Sequence, residues 1–269
     1  MLRTIFKRPQ DAEWSRPMVG GRPACIPPGI CIYAIGDIHG RADLMIEMHR
    51  TIMEDSQDLT PGTEKILVYV GDFVDRGLES SQVLDLLIEE PLPDFGAVYL
   101  VGNHDAWFLS FLVDAKIGQS WLRYGGDATL HSYGVRVGMM RDDIQYFERL
   151  QAELAEKVPP EHLAFLRGLE VTFQIGDYLF VHAGIRPDVP IDQQSPDDLL
   201  WIREPFLSCP DDLGVVVVHG HTVESEPTVR HNRIGIDTGA CWTGCLTCAV
   251  LEEDTIRFLT TGGQPMAQR

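Results

Sequence analysis

The sequence predicts an α/β fold, and three observations support that prediction. Short apolar, β-branched runs recur along the chain, as in CIYAI (31–35), ILVYV (66–70) and AVYLV (97–101). Helix-like segments separate these three runs, and each run ends in a short polar motif. Apolar runs without polar alternation are typical of strands that are buried on both faces. The expected core is therefore a βαβαβ unit.

The two connecting segments have the apolar spacing of helices. SSQVLDLLIEE (80–90) begins with serine and is stopped by Pro91. In residues 42–55 the predicted apolar face consists of Leu44, Met45, Met48, Ile52 and Met53. Asp37 and Asp72 lie 35 residues apart, which is the length of a βαβ unit. Right-handed crossovers would bring the polar motifs of all three strands to one edge of the sheet.

The rest of the chain follows a less regular pattern. Residues 106–175 read as a helical insertion around a YGGDATLHSYG loop, and residues 185–214 read as a long irregular connection. Further strands are expected at YLFV, VVVV and IGI, followed by closing antiparallel strands after Asp237. We expect a flexible leader at 1–29, one domain at 30–262 and a tail at 263–269, because no Ser/Gly-rich or Pro-rich linker divides the chain.

Composition excludes several classes of protein. The formal charge of −18 opposes binding to a phosphate backbone, so we expect no nucleic-acid partner. No apolar run approaches the roughly 18–20 residues that span a bilayer, so no membrane association is expected. The N-terminal stretch lacks the continuous apolar segment of a secretion signal, and the six cysteines lack disulfide-framework spacing. These features favour a cytoplasmic location.

The residues that end the strands are candidate metal ligands. They are carboxylates, imidazoles and one amide, namely Asp37, His39, Asp72, Asn103, His182 and His221. Mixed oxygen and nitrogen ligands suit two divalent ions, Mn first and Fe or Zn as alternatives, rather than calcium or a structural cysteine zinc site. Asp72, on the middle strand, is the natural bridging ligand. In HGHT either His219 or His221 could bind metal.

The motif GDFVDRG places two further functional groups beside Asp72. Arg76 offers a planar fork that matches phosphate oxygens. Asp75 could orient His104 and keep it protonated, so that His104 acts as the acid for a leaving alkoxide. Two metal ions in such a site could bind a phosphoryl group and lower the pKa of a shared water.

The motifs GDIHG, GDFVDRG, GNHD, HAG and HGHT, in this order, resemble the phosphoprotein phosphatase branch of the calcineurin-like metallophosphoesterases, over residues 30–262. The resemblance implies a four-layer α/β/β/α sandwich. It also implies one metal on Asp37, His39 and Asp72, and a second on Asp72, Asn103, His182 and His221. His104 paired with Asp75 would be the general acid, and Arg76 would contact phosphate.

Two other positions follow from the same resemblance. LLWIRE (199–204) is similar to a segment of bacterial members, which makes Arg203 the second phosphate ligand, with Arg186 in reserve. The third motif ends in Asp105, where the eukaryotic enzymes have glutamate, and this difference argues against eukaryotic-style regulatory subunits. The helical insertion is also more similar to that of the bacterial serine/threonine protein phosphatases.

The expected function is hydrolysis of a phosphomonoester in a phosphorylated protein or a small phosphoester, most specifically as a serine/threonine protein phosphatase. The alternatives are a dinucleoside polyphosphate (diadenosine tetraphosphate) hydrolase and a catalytically silent phosphopeptide-binding module. A silent module would be expected to lack a ligand or the acid, and every one of these residues is present. The sequence does not indicate an oligomeric state.

The remaining histidines and cysteines have simpler explanations. His49, His131, His162 and His231 are expected to be surface or packing residues. Cys241, Cys245 and Cys248 contain one C-x-x-C without a second pair, which favours packing over zinc. Trp107 and Phe108, directly after GNHD, could shape a pocket or pack in the core.

Overall fold

The computed structural model describes residues 15–139, 141 and 143–262. The predicted leader is therefore described only from residue 15, and the predicted tail at 263–269 lies outside the described residues. The domain limits at 30 and 262 stay predictions. Among the residues described, no helix is long and apolar enough to cross a membrane.

Strands and helices alternate from β3 to α3, a run of helices follows, and most of the strands of the second sheet lie in the second half of the chain. The strands are β1 (Met18–Val19), β2 (Arg22–Pro23), β3 (Ile30–Ile35), β4 (Glu64–Tyr69), β5 (Gly96–Tyr99), β6 (Thr172–Ile175), β7 (Tyr178–Val181), β8 (Val216–His219), β9 (Thr228–Val229), β10 (Arg233–Gly235), β11 (Thr247–Glu252) and β12 (Thr255–Thr260). The α-helices are α1 (Ala42–Ser56), α2 (Ser80–Glu89), α3 (Asn103–Val113), α4 (Gly118–Trp121), α5 (Asp127–Ser132), α6 (Ile144–Lys157), α7 (Pro160–Arg167), α8 (Pro196–Trp201) and α9 (Ala240–Thr243).

The first large sheet has the strand order β12-β11-β3-β4-β5. Strands β3, β4 and β5 are parallel, whereas β11 is antiparallel to β3 and to β12. Helices α1 and α2 connect the three parallel strands, so the predicted βαβαβ core is confirmed. The carboxyl ends of β3, β4 and β5 consequently lie at one edge of the sheet.

The second large sheet has the order β6-β7-β8-β10-β9, in which β7, β8 and β10 are parallel. One face of each sheet packs on the other through an apolar core that includes Ile32 and Val68 from the first sheet and Phe180 and Val218 from the second. Burial of these alternating apolar faces stabilises the sheet-on-sheet arrangement.

Helices cover the outer faces of both sheets and complete four layers. The outer face of β3, including Tyr33, packs against α1, α2 and the helices that follow β5. The outer face of β7, including Leu179 and Val181, packs against Leu199 of α8 and against Phe206. The predicted four-layer α/β/β/α sandwich is confirmed.

Several local predictions were wrong in detail. The stretch at 124–134 is helical rather than a loop, because it contains part of a π-helical turn (Leu122–Gly126) and α5. The end of the predicted helical insertion is strand β6, which pairs with β7. Met53 is 41% exposed and does not belong to the buried face of α1.

Candidate metal centre

Six side chains that the sequence predicts as metal ligands converge at one edge of the two sheets. All six are buried, although each is polar or charged. The elements that they follow or begin are β3 (Asp37 and His39), β4 (Asp72), α3 (Asn103), β7 (His182) and β8 (His221). Because isolated buried carboxylates are costly, such a concentration indicates a site for cations.

Asp72 lies at the centre of this cluster. Its Oδ2 atom is 3.4 Å from Nε2 of His39 and 3.5 Å from Nε2 of His182. Two groups of donor atoms lie close enough together to hold a metal ion: His39, Asp72 and His104, and Asp37, Asp72 and His182. Asp72 belongs to both groups, in agreement with a bridging carboxylate. The division of the ligands between two ions stays a prediction.

Asn103 lies between His182 and His221. Its Oδ1 atom lies 2.8 Å from His182 Nε2 and 2.8 Å from His221 Nδ1. The Asn103 amide oxygen and one nitrogen from each histidine therefore lie close together, and all three could coordinate one divalent ion.

The imidazole rings of His39 and His182 are oriented by backbone carbonyls. His39 Nδ1 donates to the carbonyl of Val74 at 2.8 Å, and His182 Nδ1 donates to the carbonyl of Val70 at 2.9 Å. These bonds fix the tautomer, so that the lone pair of each Nε2 atom faces the cluster, as in metal-binding histidines generally.

The backbone of the cluster is held in an uncommon conformation. Five non-glycine residues in the cluster or directly beside it have positive φ angles: His39, Asp72, Asp75, Arg76 and His221. Such residues are uncommon and persist where the surrounding structure fixes them, often at functional sites. Glycine is required at two positions next to the ligands because a side chain would not fit there. A Cβ atom at Gly102 would collide with Asp72 Oδ1, and one at Gly220 would collide with Asp37 Oδ1.

The electrostatics of Asp37 fit a cation ligand. Burial and the neighbouring carboxylates of Asp237 and Asp72 hold the pKa of Asp37 well above its usual range. Its Oδ2 atom accepts from the backbone N–H of His221 at 3.0 Å, whereas buried Oδ1 has no hydrogen-bond partner. Carboxylate, imidazole and amide donors of this kind fit divalent Mn, Fe or Zn.

His104 and Asp75 form a buried pair beside the cluster. His104 Nδ1 donates to Asp75 Oδ2 at 2.7 Å. Burial acts to lower the pKa of His104, but the carboxylates of Asp72 and Asp75 outweigh it and raise that pKa above its ordinary value. Two further donors hold Asp75: Trp121 Nε1 at 2.8 Å and the Thr129 hydroxyl at 2.6 Å.

Arg76 reaches over the cluster and is held there by an aromatic ring. Its Nη1 atom lies 2.7 Å from His39 Nε2, and its Nη2 atom lies 3.0 Å from His104 Nε2. The guanidinium stacks on Trp242, with 4.6 Å between its central carbon and the ring centroid. Arg76 therefore presents a fixed cationic fork next to both the ligand cluster and the His104 ring.

The two candidates for a second phosphate ligand differ in position. Arg203 Nη2 lies 3.4 Å from the carbonyl of His221, so this side chain borders the cluster. Arg186 instead forms two hydrogen bonds with Asp198, at 2.9 and 2.5 Å. This geometry favours Arg203 over Arg186.

Two buried carboxylates next to the cluster were not predicted as site residues. Asp105 accepts from the backbone N–H groups of Asp72, Phe73 and Gly102 at 2.8, 3.0 and 2.9 Å, and so fixes the loop that presents Asp72. Burial and the Asp72 carboxylate act to raise the pKa of Asp105, whereas the three backbone N–H donors oppose them and favour the charged carboxylate. Asp237 accepts from the Gly239 N–H at 2.9 Å, and its Oδ2 atom has no partner. The strand-end pattern IGI-DTG was the available signal for Asp237.

The other histidines and the cysteines are not members of the candidate ligand groups in the described part of the chain. His219 is buried and packs edge-on against Phe206, and it belongs to neither donor group among the described residues. His49 bonds the Tyr69 hydroxyl, and His162 bonds Tyr133. Cysteine likewise contributes to neither donor group in the described part of the chain. The closing strands expected after Asp237 begin only at Thr247, since α9 contains Cys241 and only Cys248 of the three C-terminal cysteines lies in β11.

A family model described as calcineurin-like phosphoesterase matches residues 31–244. The chain belongs to the calcineurin-like phosphoesterase family. The match extends over the βαβαβ core, the insertion and the second sheet, and so includes every candidate ligand. Family membership shows a phosphoesterase hydrolase with candidate metal-binding groups.

Relatives within this phosphoesterase family have two kinds of name. Serine/threonine-protein phosphatase 2 of Salmonella typhimurium is 28% identical over 228 residues, which cover 80% of this chain and 90% of the relative. The asymmetrical bis(5'-nucleosyl)-tetraphosphatase of Halalkalibacterium halodurans is 27% identical over 225 residues, which cover 79% and 87%. A solved protein-tyrosine phosphatase of a Shewanella species has a TM-score of 0.55 at 16% identity and covers 96% of this chain and 88% of its own. That structural likeness shows the fold alone.

Proposed function

We propose that this calcineurin-like phosphoesterase is a phosphomonoesterase with two divalent metal ions, and specifically a cytoplasmic serine/threonine protein phosphatase. The observation that supports it best is that Asp72 belongs to both donor groups, while His104, a member of one of them, is bonded to Asp75 and to Arg76. One carboxylate for two ions, one acid and one phosphate clamp are the parts that phosphoester hydrolysis needs.

The proposed ligands to the two ions are Asp37, His39, Asp72, Asn103, His182 and His221. Manganese is the first choice of metal, with iron or zinc as alternatives, because oxygen and nitrogen donors are mixed and thiolates are absent from this set. When bound, such ions would supply the Lewis acidity that activates water and neutralises phosphoryl charge.

His104 is the proposed general acid. Its Nδ1 atom is occupied by Asp75, and Nε2 accepts from Arg76 in this structure. When Arg76 turns its N–H groups to a phosphoryl group, Nε2 is the atom that would carry a proton and deliver it to the oxygen of the leaving group. Because Asp75 and Asp72 raise the pKa of His104 against the effect of burial, the ring is protonated over a wider pH range. Asp75 acts by orienting this ring and stabilising its charge.

Arg76 and Arg203 are the proposed phosphate ligands. The Arg76 fork lies within 3.0 Å of His104 Nε2, so a phosphoryl group held by Arg76 would have its leaving oxygen next to the acid. Stacking on Trp242 limits the rotation of the guanidinium and pre-organises it for a bidentate contact. Arg203 would contact the same group from the side of His221.

The specificity for phosphoserine and phosphothreonine is the finer part of the proposal. It is supported by the Asp75–Arg76 pair within GDFVDRG and by relatives named serine/threonine-protein phosphatase. Dinucleoside tetraphosphate hydrolysis is the second candidate, since relatives of equal similarity have that name. The charge of −18 disfavours a long polyanion, and we propose neither a nucleic-acid nor a membrane partner.

Phosphate release by metal-stripped protein reloaded with manganese tests the proposal. A phosphothreonine peptide and diadenosine tetraphosphate are assayed in parallel, with the Asp72→Asn protein as the blank. Peptide turnover that vanishes in the blank supports a protein phosphatase. Turnover of the dinucleotide alone would reject the substrate and keep the metal assignment, and turnover of neither substrate by metal-loaded protein would favour a silent binding module.

A further inference from the structure

Asp237 is a buried carboxylate that the proposed chemistry does not use. It follows strand β10 of the second sheet and is only 3% exposed. Its Oδ1 atom accepts from the backbone N–H of Gly239 at 2.9 Å, which closes the turn after the strand. Its Oδ2 atom is buried and has no hydrogen-bond partner among the described residues. Because burial of an ionised carboxylate is costly, this second oxygen needs an explanation that the turn does not supply.

The first sheet places a second unpartnered carboxylate oxygen next to Asp237. Gly36, directly after β3, lies so close to the second sheet that a Cβ atom there would collide with the carbonyl of Ile236. The residues that follow these two are Asp37 and Asp237, and their carboxyl groups are close enough to form a hydrogen bond if one of them carries a proton. Oδ1 of Asp37 is also buried without a partner in the described part of the chain.

Negative charge is in excess around this pair of carboxylates. The charge of a third carboxylate, that of Asp72, acts on both Asp37 and Asp237. The Arg76 guanidinium also acts on both, but its nitrogens are already bonded to two imidazole rings. One guanidinium beside three carboxylates leaves a negative charge that a divalent cation would neutralise.

We infer that Asp237 is a further carboxylate of the metal centre, placed beside the ion that Asp37 binds so that its charge tightens the binding of that ion. This inference rests on the proposed function only in requiring ions at the cluster, and it is independent of the substrate. Asp37 shares a donor group with Asp72 and His182, whereas Asp237 belongs to neither donor group among the described residues. Asp237 therefore acts next to the ion and does not replace a predicted ligand.

The closeness of the two carboxylates has opposite effects on the metal-free and the metal-loaded protein. In the metal-free protein the carboxylates of Asp37 and Asp237 repel each other, and each has a buried oxygen without a donor among the described residues. In the metal-loaded protein both charges are attracted to the same cation. A side chain that only closed a turn would have the same effect in both states, so the difference between the states identifies the role.

Asp237→Asn separates these two effects and keeps the turn. Its amide oxygen can accept from the Gly239 N–H as before, whereas its NH₂ group replaces the unpartnered oxygen and can donate to Asp37. We expect isothermal titration to show manganese binding weakened by roughly 10–100-fold, the usual effect of losing a group that supports a metal ligand. We expect the Tm of the metal-free protein to rise by about 3–6 °C, because a hydrogen bond replaces the repulsion.

Two further variants complete the test. Asp143→Asn is the matched control, because Asp143 also accepts a backbone N–H, that of Tyr146 at 2.8 Å, outside the metal centre. It should leave manganese affinity unchanged and should not raise the metal-free Tm. Asp37→Asn relieves the same repulsion from the side of the first sheet. Its metal-free Tm should therefore rise as well, and this measurement still decides the inference if the Asp237 variant does not fold.

Unchanged manganese affinity in Asp237→Asn would overturn the inference, since the carboxylate would then only close its turn. A fall in both the affinity and the metal-free Tm would also overturn it, because a damaged turn would explain both effects. The inference fails as well if neither Asp237→Asn nor Asp37→Asn raises the metal-free Tm. Unaltered protein that binds no manganese would be a different failure, because it would reject the metal centre of the proposed function itself.

Discussion

Asp105 is the residue on which the position of Asp72 depends. Its two carboxylate oxygens accept three backbone N–H groups, from Asp72, Phe73 and Gly102. Because an acceptor is needed at both oxygens, no neutral side chain of the same shape can replace it. An amide would place an N–H₂ donor opposite a backbone donor.

We therefore predict that Asp105→Asn weakens manganese binding by roughly 10–100-fold, the usual effect of losing a group that supports a metal ligand. Isothermal titration of metal-stripped protein measures the affinity. Asp143→Asn is the matched control, because Asp143 caps α6 through the N–H of Tyr146 and lies outside the metal centre. Equal manganese affinity in the Asp105 and Asp143 variants would contradict the role given to Asp105.

His104 allows a second prediction, which depends on the leaving group. His104→Asn should slow turnover of a phosphothreonine peptide by roughly 10²–10⁴-fold, the usual contribution of a positioned acid. The loss should be smaller for phenyl phosphate, because a phenol with a pKa of about 10 leaves without protonation more readily than an alcohol. Initial rates on both substrates, with bound manganese measured alongside, check this prediction. Loss of metal, or the same loss of rate on both substrates, would exclude His104 as the acid.

At the scale of the elements, the parts of the fold that could be predicted are those with local causes. Strands β3, β4 and β5 were predictable because each combines an apolar run with a polar motif, and the spacing of Asp37 and Asp72 fixes the crossover length. Met53 was misplaced because, at about 100° per residue, it lies nearly opposite Leu44 on the helix and outside the buried stripe.

The supports of Asp75 could not be predicted from local pattern. Trp121 and Thr129 lie 46 and 54 residues away in the chain, in α4 and α5 of the insertion. Only the packing of those helices against the strand ends brings the two donors to one carboxylate. The same holds for Trp242, which reaches Arg76 from the far end of the chain.

The insertion should consequently affect catalysis. Trp121→Phe keeps the buried ring but removes the N–H that donates to Asp75 at 2.8 Å. We expect kcat for the phosphothreonine peptide to fall by roughly tenfold, with a loss of about 1.5–3 kcal/mol in the free energy of unfolding, the usual contribution of a hydrogen bond to a charged group. Steady-state kinetics and urea unfolding measure the two effects.

Tyr146→Phe separates catalysis from stability in this test. It removes the bond from the Tyr146 hydroxyl to the Val137 carbonyl in the same layer of helices, without touching Asp75. It should lower stability while leaving kcat unchanged. A Trp121 variant that loses stability but keeps its kcat would show that the insertion supports the fold and not the acid.

At the scale of the whole molecule, the candidate ligands come from both sheets. Asp37 and Asp72 follow strands of the first sheet, whereas His182 and His221 follow strands of the second. Away from this edge the two sheets meet through an apolar core. Bound ions would therefore link the sheets at the edge where buried carboxylates and imidazoles stand in place of apolar contacts.

This arrangement predicts that metal ions stabilise the whole fold. An ion that binds only the folded chain contributes about 2.7 kcal/mol at a free concentration of roughly 100 times its Kd. For a domain of this size that corresponds to a rise in Tm of about 5–10 °C, at about 2–4 °C per kcal/mol. Calorimetry with manganese, and with a chelator in its place, measures the shift.

The Asp72→Asn protein should lose most of the shift, because one carboxylate serves both donor groups. Asp143→Asn should retain it, since that residue only caps a helix. An equal rise in Tm for the Asp72 variant and the unaltered protein would mean that manganese stabilises the fold from another place. The two sheets would then be held together by their apolar core alone, and the buried polar edge would need a different explanation.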